Sequence, residues 1–145
     1  MPVTSDLDIA RVLSTTRSIA LLGASPKVQR PSHRVMKYLL ARGYAVYPVN
    51  PELAGQTLLG QAVYARLADI PGRIDMVDVF RHPRYLPQVV EEAINARVDI
   101  LWTQLDVVDH QAAAVAERAG LEVVMDRCPA IEWPRLQARG LVSDG

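Results

Sequence analysis

A single cysteine, Cys128, stands among the 145 residues, which excludes an internal disulfide and any metal site built from several cysteines. Neither charge is in excess: sixteen Lys and Arg balance sixteen Asp and Glu, and the sequence pI is about 6.8. That balance withholds the strong positive field a general nucleic-acid binder uses, so any anion site must come from local clustering. No apolar run has the length needed to cross a bilayer. The opening MPVTSDLDIARVLSTTRS has acids early and no apolar core, unlike a signal peptide. These absences lead to the expectation of a cytoplasmic protein with no membrane and no nucleic-acid partner. What is present is ordinary for a globular chain: 50% hydrophobic and 22% charged residues, enough for one domain over 1–145.

The hydrophobic pattern alternates between strand and helix. Thr4 or Ser5 is placed to cap a leading helix within residues 1–16, with Ile9, Val12 and Leu13 on one face. SIALLG is a short, nearly unbroken apolar run, the pattern of a strand buried on both faces. Ser32 is the expected N-cap of HRVMKYLLARG, which Gly43 is placed to stop, and YAVYPVN is a second strand. Residues 51–72 are irregular, with a loop, a brief extended piece and a helical turn. IDMVDVF, VDILWTQ and LEVVMD are three further strands, separated by helices in RYLPQVVEEAINAR and in HQAAAVAERAG, the latter capped by Asp109. PAIEWPRLQARG reads as a closing turn or short helix, and residues 137–145 as a frayed tail. The whole predicts an α/β fold: a doubly wound, parallel, five-stranded Rossmann-like sheet with helices on both faces.

In such a sheet ligands bind beyond the carboxyl ends of the strands, where the strand order reverses. The loops concerned are 23–32, 50–57, 80–84 and 103–109. From Gly23 to Arg34 there are Lys27, Arg30, His33 and Arg34 and no acid; after the third strand come Arg81, His82 and Arg84. A neutral chain has gathered positive charge at one mouth, which points to an anion. The anion is not an obvious dinucleotide. That fingerprint needs G-x-G-x-x-G and an acid after the second strand, whereas this loop reads GASPKVQRPS and Asn50 stands in the acid's place.

The pieces IALLGAS, RPSHRVMKYLLARGYAVYPVNP, IDMVDVFR, LWTQ and VVMDRCPAIEWPRL, in this order, resemble the small stand-alone CoA-binding proteins. Those are similar in fold to the N-terminal domain of the succinyl-CoA synthetase alpha subunit. The resemblance implies coenzyme A or an acyl-CoA as ligand, lying along the carboxyl edge of the sheet. By position it implies that Gly23, Ala24 and Ser25 form the turn under the phosphates. It makes Lys27, Arg30 and Ser32 donors to the pyrophosphate or 3′-phosphate. Pro48, Asn50 and Pro51 would lie along the adenosine, Phe80 and Arg81 would border the nucleotide, and Trp102, Thr103 and Gln104 the pantetheine arm. The synthetase's phosphorylated histidine belongs to a second domain. None of His33, His82 and His110 lies in a glycine-rich loop of that kind, so synthetase activity is not implied.

No nucleophile–base pair or metal-ligand spacing stands out. Cys128 beside Arg127 has the setting of a stabilised thiolate or, more simply, of a small buried hydrophobe. His82 is suited to a phosphate or to water, and Glu91 and Glu92 to a solvated helix face. Three functions compete: a non-catalytic CoA-binding carrier, sensor or partner module; an enzyme or enzyme subunit using acyl-CoA; and an NAD(P)-binding redox sensor. The broken fingerprint counts against the third, and the missing catalytic pair against the second. The partner expected is the small molecule CoA; a protein partner is left open, with no identity.

Overall fold

The structure, a computed structural model, describes residues 1–143. Helix α1 spans Asp6–Thr15, strand β1 Ser18–Leu22, α2 Pro31–Ala41 and β2 Ala45–Val49. A short hairpin follows, β3 Thr57–Leu58 and β4 Gln61–Ala62, then β5 Met76–Val79 and α3 Leu86–Asn95. Strand β6 covers Ile100–Thr103, α4 His110–Arg118, β7 Glu122–Val124 and α5 Pro129–Ala138. The main sheet is five-stranded and parallel, in the order β2-β1-β5-β6-β7. This is the Rossmann-like architecture expected.

The strands are buried on both faces because helices cover both. Ile19, Leu21, Met76, Ile100 and Trp102 face a core layer shared with α1, α2 and α5. Ala20, Leu22, Val77, Val79 and Leu101 face a second layer with α3 and α4. Local signals set the helix ends. Ser5 accepts a hydrogen bond from the Asp8 amide, and Asp109 accepts one from the Ala112 amide. After α2, Gly43 takes φ +95°; its amide donates to Leu40 O and that of Tyr44 to Leu39 O, which satisfies two end carbonyls.

Both outer edges of the sheet are occupied. On the β2 side, Tyr64 forms a single parallel bridge: its amide donates to Pro48 O at 3.0 Å, and the Asn50 amide donates to Tyr64 O at 2.9 Å. Counting Tyr64 as a one-residue strand gives the order of the dinucleotide-binding fold, 3-2-1-4-5-6. Pro48 is tolerated within β2 because its missing N–H lies on this edge, away from β1. On the β7 side, the Val3 amide donates to Val123 O at 2.7 Å.

Two expectations need correction. Ser32 does not cap α2: Arg30 holds the cap position, because Pro31 with its preset φ opens the helix two residues earlier than Ser32 would allow. Of the two forms expected for the closing segment the helix is the one found: α5 runs for 10 residues even with Pro134 inside it, anchored by buried Trp133 and Leu136. Fraying from residue 137 is also not seen: α5 continues to Ala138, and Val142 is buried at 7% exposure in the first core layer. Residues 144–145 of the expected tail lie outside the described residues.

Candidate functional site

The chain runs from β1 outward to β2 on one side and returns to β5 on the other, so the strand order reverses between β1 and β5. A cleft of about 1220 Å³ opens there, over the carboxyl ends of the strands. Its floor is the turn after β1. Gly23 has φ +90°, and a Cβ at this position would lie 2.8 Å from Phe80 O, so only glycine brings the two strand ends this close. The amides of Gly23 and Ala24 both donate to Val49 O, at 3.1 and 3.3 Å. The Asn50 Nδ2 donates to Ala24 O at 2.8 Å, and the buried His33 holds Ser25 O with its Nδ1 at 3.0 Å.

Eleven of the residues expected at the site line this cleft: Gly23, Ala24, Ser25, Lys27, Arg30, Ser32, Asn50, Pro51, Phe80, Arg81 and Gln104. Lys27, Arg30 and Arg81 form no ion pair with any described residue; Arg81 lies over the Tyr85 ring, 4.4 Å from its centroid. Pro31 has no N–H, so Ser32 presents the first amide of α2, and neither it nor the Ser25 amide has a protein acceptor among the described residues. Unpaired cations, free amides and a helix N-terminus therefore converge. The helix end alone favours a bound negative charge by about 0.3–1 kcal/mol.

Pro48, Trp102 and Thr103 do not line the cleft. Pro48 is buried in β2. Trp102 has no exposure, faces the layer under α1, α2 and α5, and donates its Nε1–H to Arg127 O at 2.8 Å. Thr103 is equally buried; its hydroxyl donates to Val107 O and accepts from the Asp126 amide. A strand covered on both faces carries no alternation to tell which side chain turns where. Cys128 is 6% exposed within the core, the packing of a small hydrophobe.

The cleft also recruits residues that pattern reading left out. Ala65, Arg66 and Leu67 close it on the β2 side, and Gln88 and Glu92 of α3 close it beyond β5. The first group follows from the Tyr64 bridge, which brings an irregular segment to the sheet edge. His82 lies between the two ends; its Nδ1 accepts from the Arg84 amide, so in the neutral ring Nε2 carries the proton. Gln104 is only 7% exposed, and its Oε1 has no partner among the described residues. The described residues contain no helix long and apolar enough to cross a membrane.

Comparison with known proteins agrees with this geometry. The profile of the CoA binding domain family matches residues 17–134. The uncharacterized protein YneT of Bacillus subtilis is 35% identical over 124 residues, which is 86% of this chain and 90% of that one. A solved structure of a hypothetical protein from Pyrococcus horikoshii superposes with a TM-score of 0.88 at 40% identity, covering 94% of this chain and 96% of the other. The alpha subunit of an ADP-forming acetate–CoA ligase of Pyrococcus furiosus is 33% identical over 93 residues, 61% of this chain but only 20% of the subunit. A Rossmann-like sheet with a basic cleft at its switch point, matched by the family profile over most of its length, belongs to the CoA-binding domain family.

Proposed function

We propose that this protein binds coenzyme A in the cleft over β1 and β5 and acts in the cytoplasm as a non-catalytic carrier, sensor or partner module. The observation that carries the reading is that Lys27, Arg30 and Arg81 line the cleft without an ion pair to any described residue, close to the unpaired amides of Ser25 and Ser32. Coenzyme A brings a pyrophosphate and a 3′-phosphate, more negative charge than NAD, and the carboxylate that would repel a ribose phosphate is replaced by Asn50. Its pantetheine arm brings amide groups, which suit a cleft wall that includes Gln104. The phosphates lie over the β1 turn, the adenosine toward Asn50 and Pro51, and the arm toward Phe80 and Gln104.

The second reading is a component that works on acyl-CoA with chemistry supplied by another chain. The likeness to part of an acetate–CoA ligase subunit favours it. Calorimetric titration with CoA, dephospho-CoA, NAD and NADP tests the first reading: CoA is expected to bind tightest, and binding of NAD or NADP with CoA silent would overturn it. A thioester hydrolysis and transfer assay with the purified chain separates the two readings.

A further inference from the structure

Asn50 stands where a dinucleotide-binding chain has its ribose acid, yet both ends of its side-chain amide are engaged inside the protein. Its Oδ1 accepts from the Glu52 amide at 2.9 Å, and its Nδ2 donates to Ala24 O at 2.8 Å. The orientation is unambiguous, because a flipped amide would set N–H against N–H and oxygen against oxygen. One residue further along the turn, Ser25 O faces His33 Nδ1 at 3.0 Å. A carbonyl only accepts, so Nδ1 carries the proton.

These two contacts fix successive peptide planes. In a trans peptide the N–H points opposite to the preceding C=O. With Ala24 O drawn to Asn50, the Ser25 N–H is turned the other way, and it has no protein acceptor among the described residues. Drawing Ser25 O to the buried His33 ties the next plane to α2. Pro26 follows with no N–H to be oriented.

Resting on the CoA reading of this cleft, we infer that Asn50 and His33 are positioning residues that lock the one-glycine turn so that the Ser25 amide faces a phosphate. Asn50 acts on the turn rather than reading the ribose. The turn achieves with two side chains what a glycine-rich loop achieves with backbone freedom.

The test measures CoA affinity by calorimetry together with the Ser25 amide signal in a ¹H–¹⁵N spectrum during titration with inorganic pyrophosphate. Asn50→Ala and His33→Ala are each expected to weaken CoA roughly ten-fold, the scale of one lost hydrogen bond. Both should abolish the Ser25 response while the rest of the spectrum stays that of a folded protein. Asn50→Asp should weaken CoA further, since a carboxylate would face Ala24 O, and should gain no NAD binding. His33→Asn, which keeps a donor close to the Nδ1 position, should restore most of the affinity. Unchanged CoA affinity and an unchanged Ser25 response in both alanine variants would overturn the inference alone, as would NAD binding gained by Asn50→Asp. A wild-type protein silent to CoA whose Ser25 amide still answers pyrophosphate in an Asn50-dependent way would overturn the CoA reading and support the lock. Silence to both ligands would overturn both.

Discussion

Asp78 lies directly beside Trp102 in the register of β5 and β6, at zero exposure, and neither of its carboxyl oxygens has a hydrogen-bond partner among the described residues. Burial pushes this carboxyl well above the usual carboxylate range. The unfolded chain gives up the proton near pH 4 while the folded chain keeps it. The contribution of this group to stability is therefore complete below about pH 4 and declines as pH rises. Replacing Asp78 with valine, the residue on either side of it in β5, should raise stability at pH 7 by about 1–3 kcal/mol. Urea denaturation at pH 5 and pH 7.5 should show the larger gain at the higher value. A loss at both would mean the carboxyl has a partner in solution.

Asp6 predicts the opposite slope. It accepts two hydrogen bonds from Arg135, at 2.9 and 2.8 Å, and a third from Arg139, which joins α1 to α5. Arg135 first, then Arg139, hold its carboxyl well below the ordinary range. This contribution is present above about pH 4 and is lost as pH falls through and below it. Asp6→Asn should lower Tm at pH 6 and by progressively less as pH falls below about 4, so the acid limb of a Tm-against-pH curve becomes shallower.

The core layer over Trp102 holds a polar relay. Trp133 Nε1 donates to Tyr44 Oη at 3.0 Å, and the Tyr44 hydroxyl donates to Leu13 O. Tyr44→Phe leaves a buried N–H and a buried carbonyl unpaired, so a loss of about 1–3 kcal/mol is expected by chemical denaturation. No change would show that water takes the place of the hydroxyl.

At the end of α3 a Schellman turn is made by Arg97 at φ +57°, the role that Gly43 and Gly120 fill after α2 and α4. Arg97→Gly removes the cost of a left-handed side-chain-bearing residue. A gain of roughly 0.5–1 kcal/mol should appear as a higher Tm.

On the proposed reading Lys27 and Arg30 contact the phosphates of CoA, and alanine substitutions assign each to one of them. Alanine at a residue that touches the 3′-phosphate should weaken CoA about ten-fold or more while sparing dephospho-CoA. Equal losses for both ligands assign that residue to the pyrophosphate, and no loss for either removes it from the site.

Much of this was legible in the residues. The caps at Ser5 and Asp109, the stop at Gly43 and the apolar runs of the five main strands act locally, so they survive folding unchanged. The gathering of Lys27, Arg30 and Arg81 was legible too, because topology alone brings the ends of parallel strands to one edge. What escaped depends on three dimensions. The facing of Trp102 and Thr103 is set by which helix lies above β6, and nothing in ILWT records it. Tyr64 joins β2 by one bridge, too short to leave a strand pattern, yet it carries Ala65, Arg66 and Leu67 into the cleft. The turn's dependence on Asn50 and His33 joins residues 26 and 8 positions away from the carbonyls they hold.

The occupied margins of the sheet have a consequence for how copies of this chain meet. A parallel sheet ordinarily ends in two rows of unpaired amides and carbonyls, each a template on which an unfolded neighbour can lay a strand. Here Tyr64 takes the carbonyl of Pro48 on one side, where proline has no amide to offer, and Val3 takes Val123 O on the other. Self-templated growth of the sheet must first displace one of these clasps, so deposits seeded at its margins are resisted by three hydrogen bonds and an imino acid.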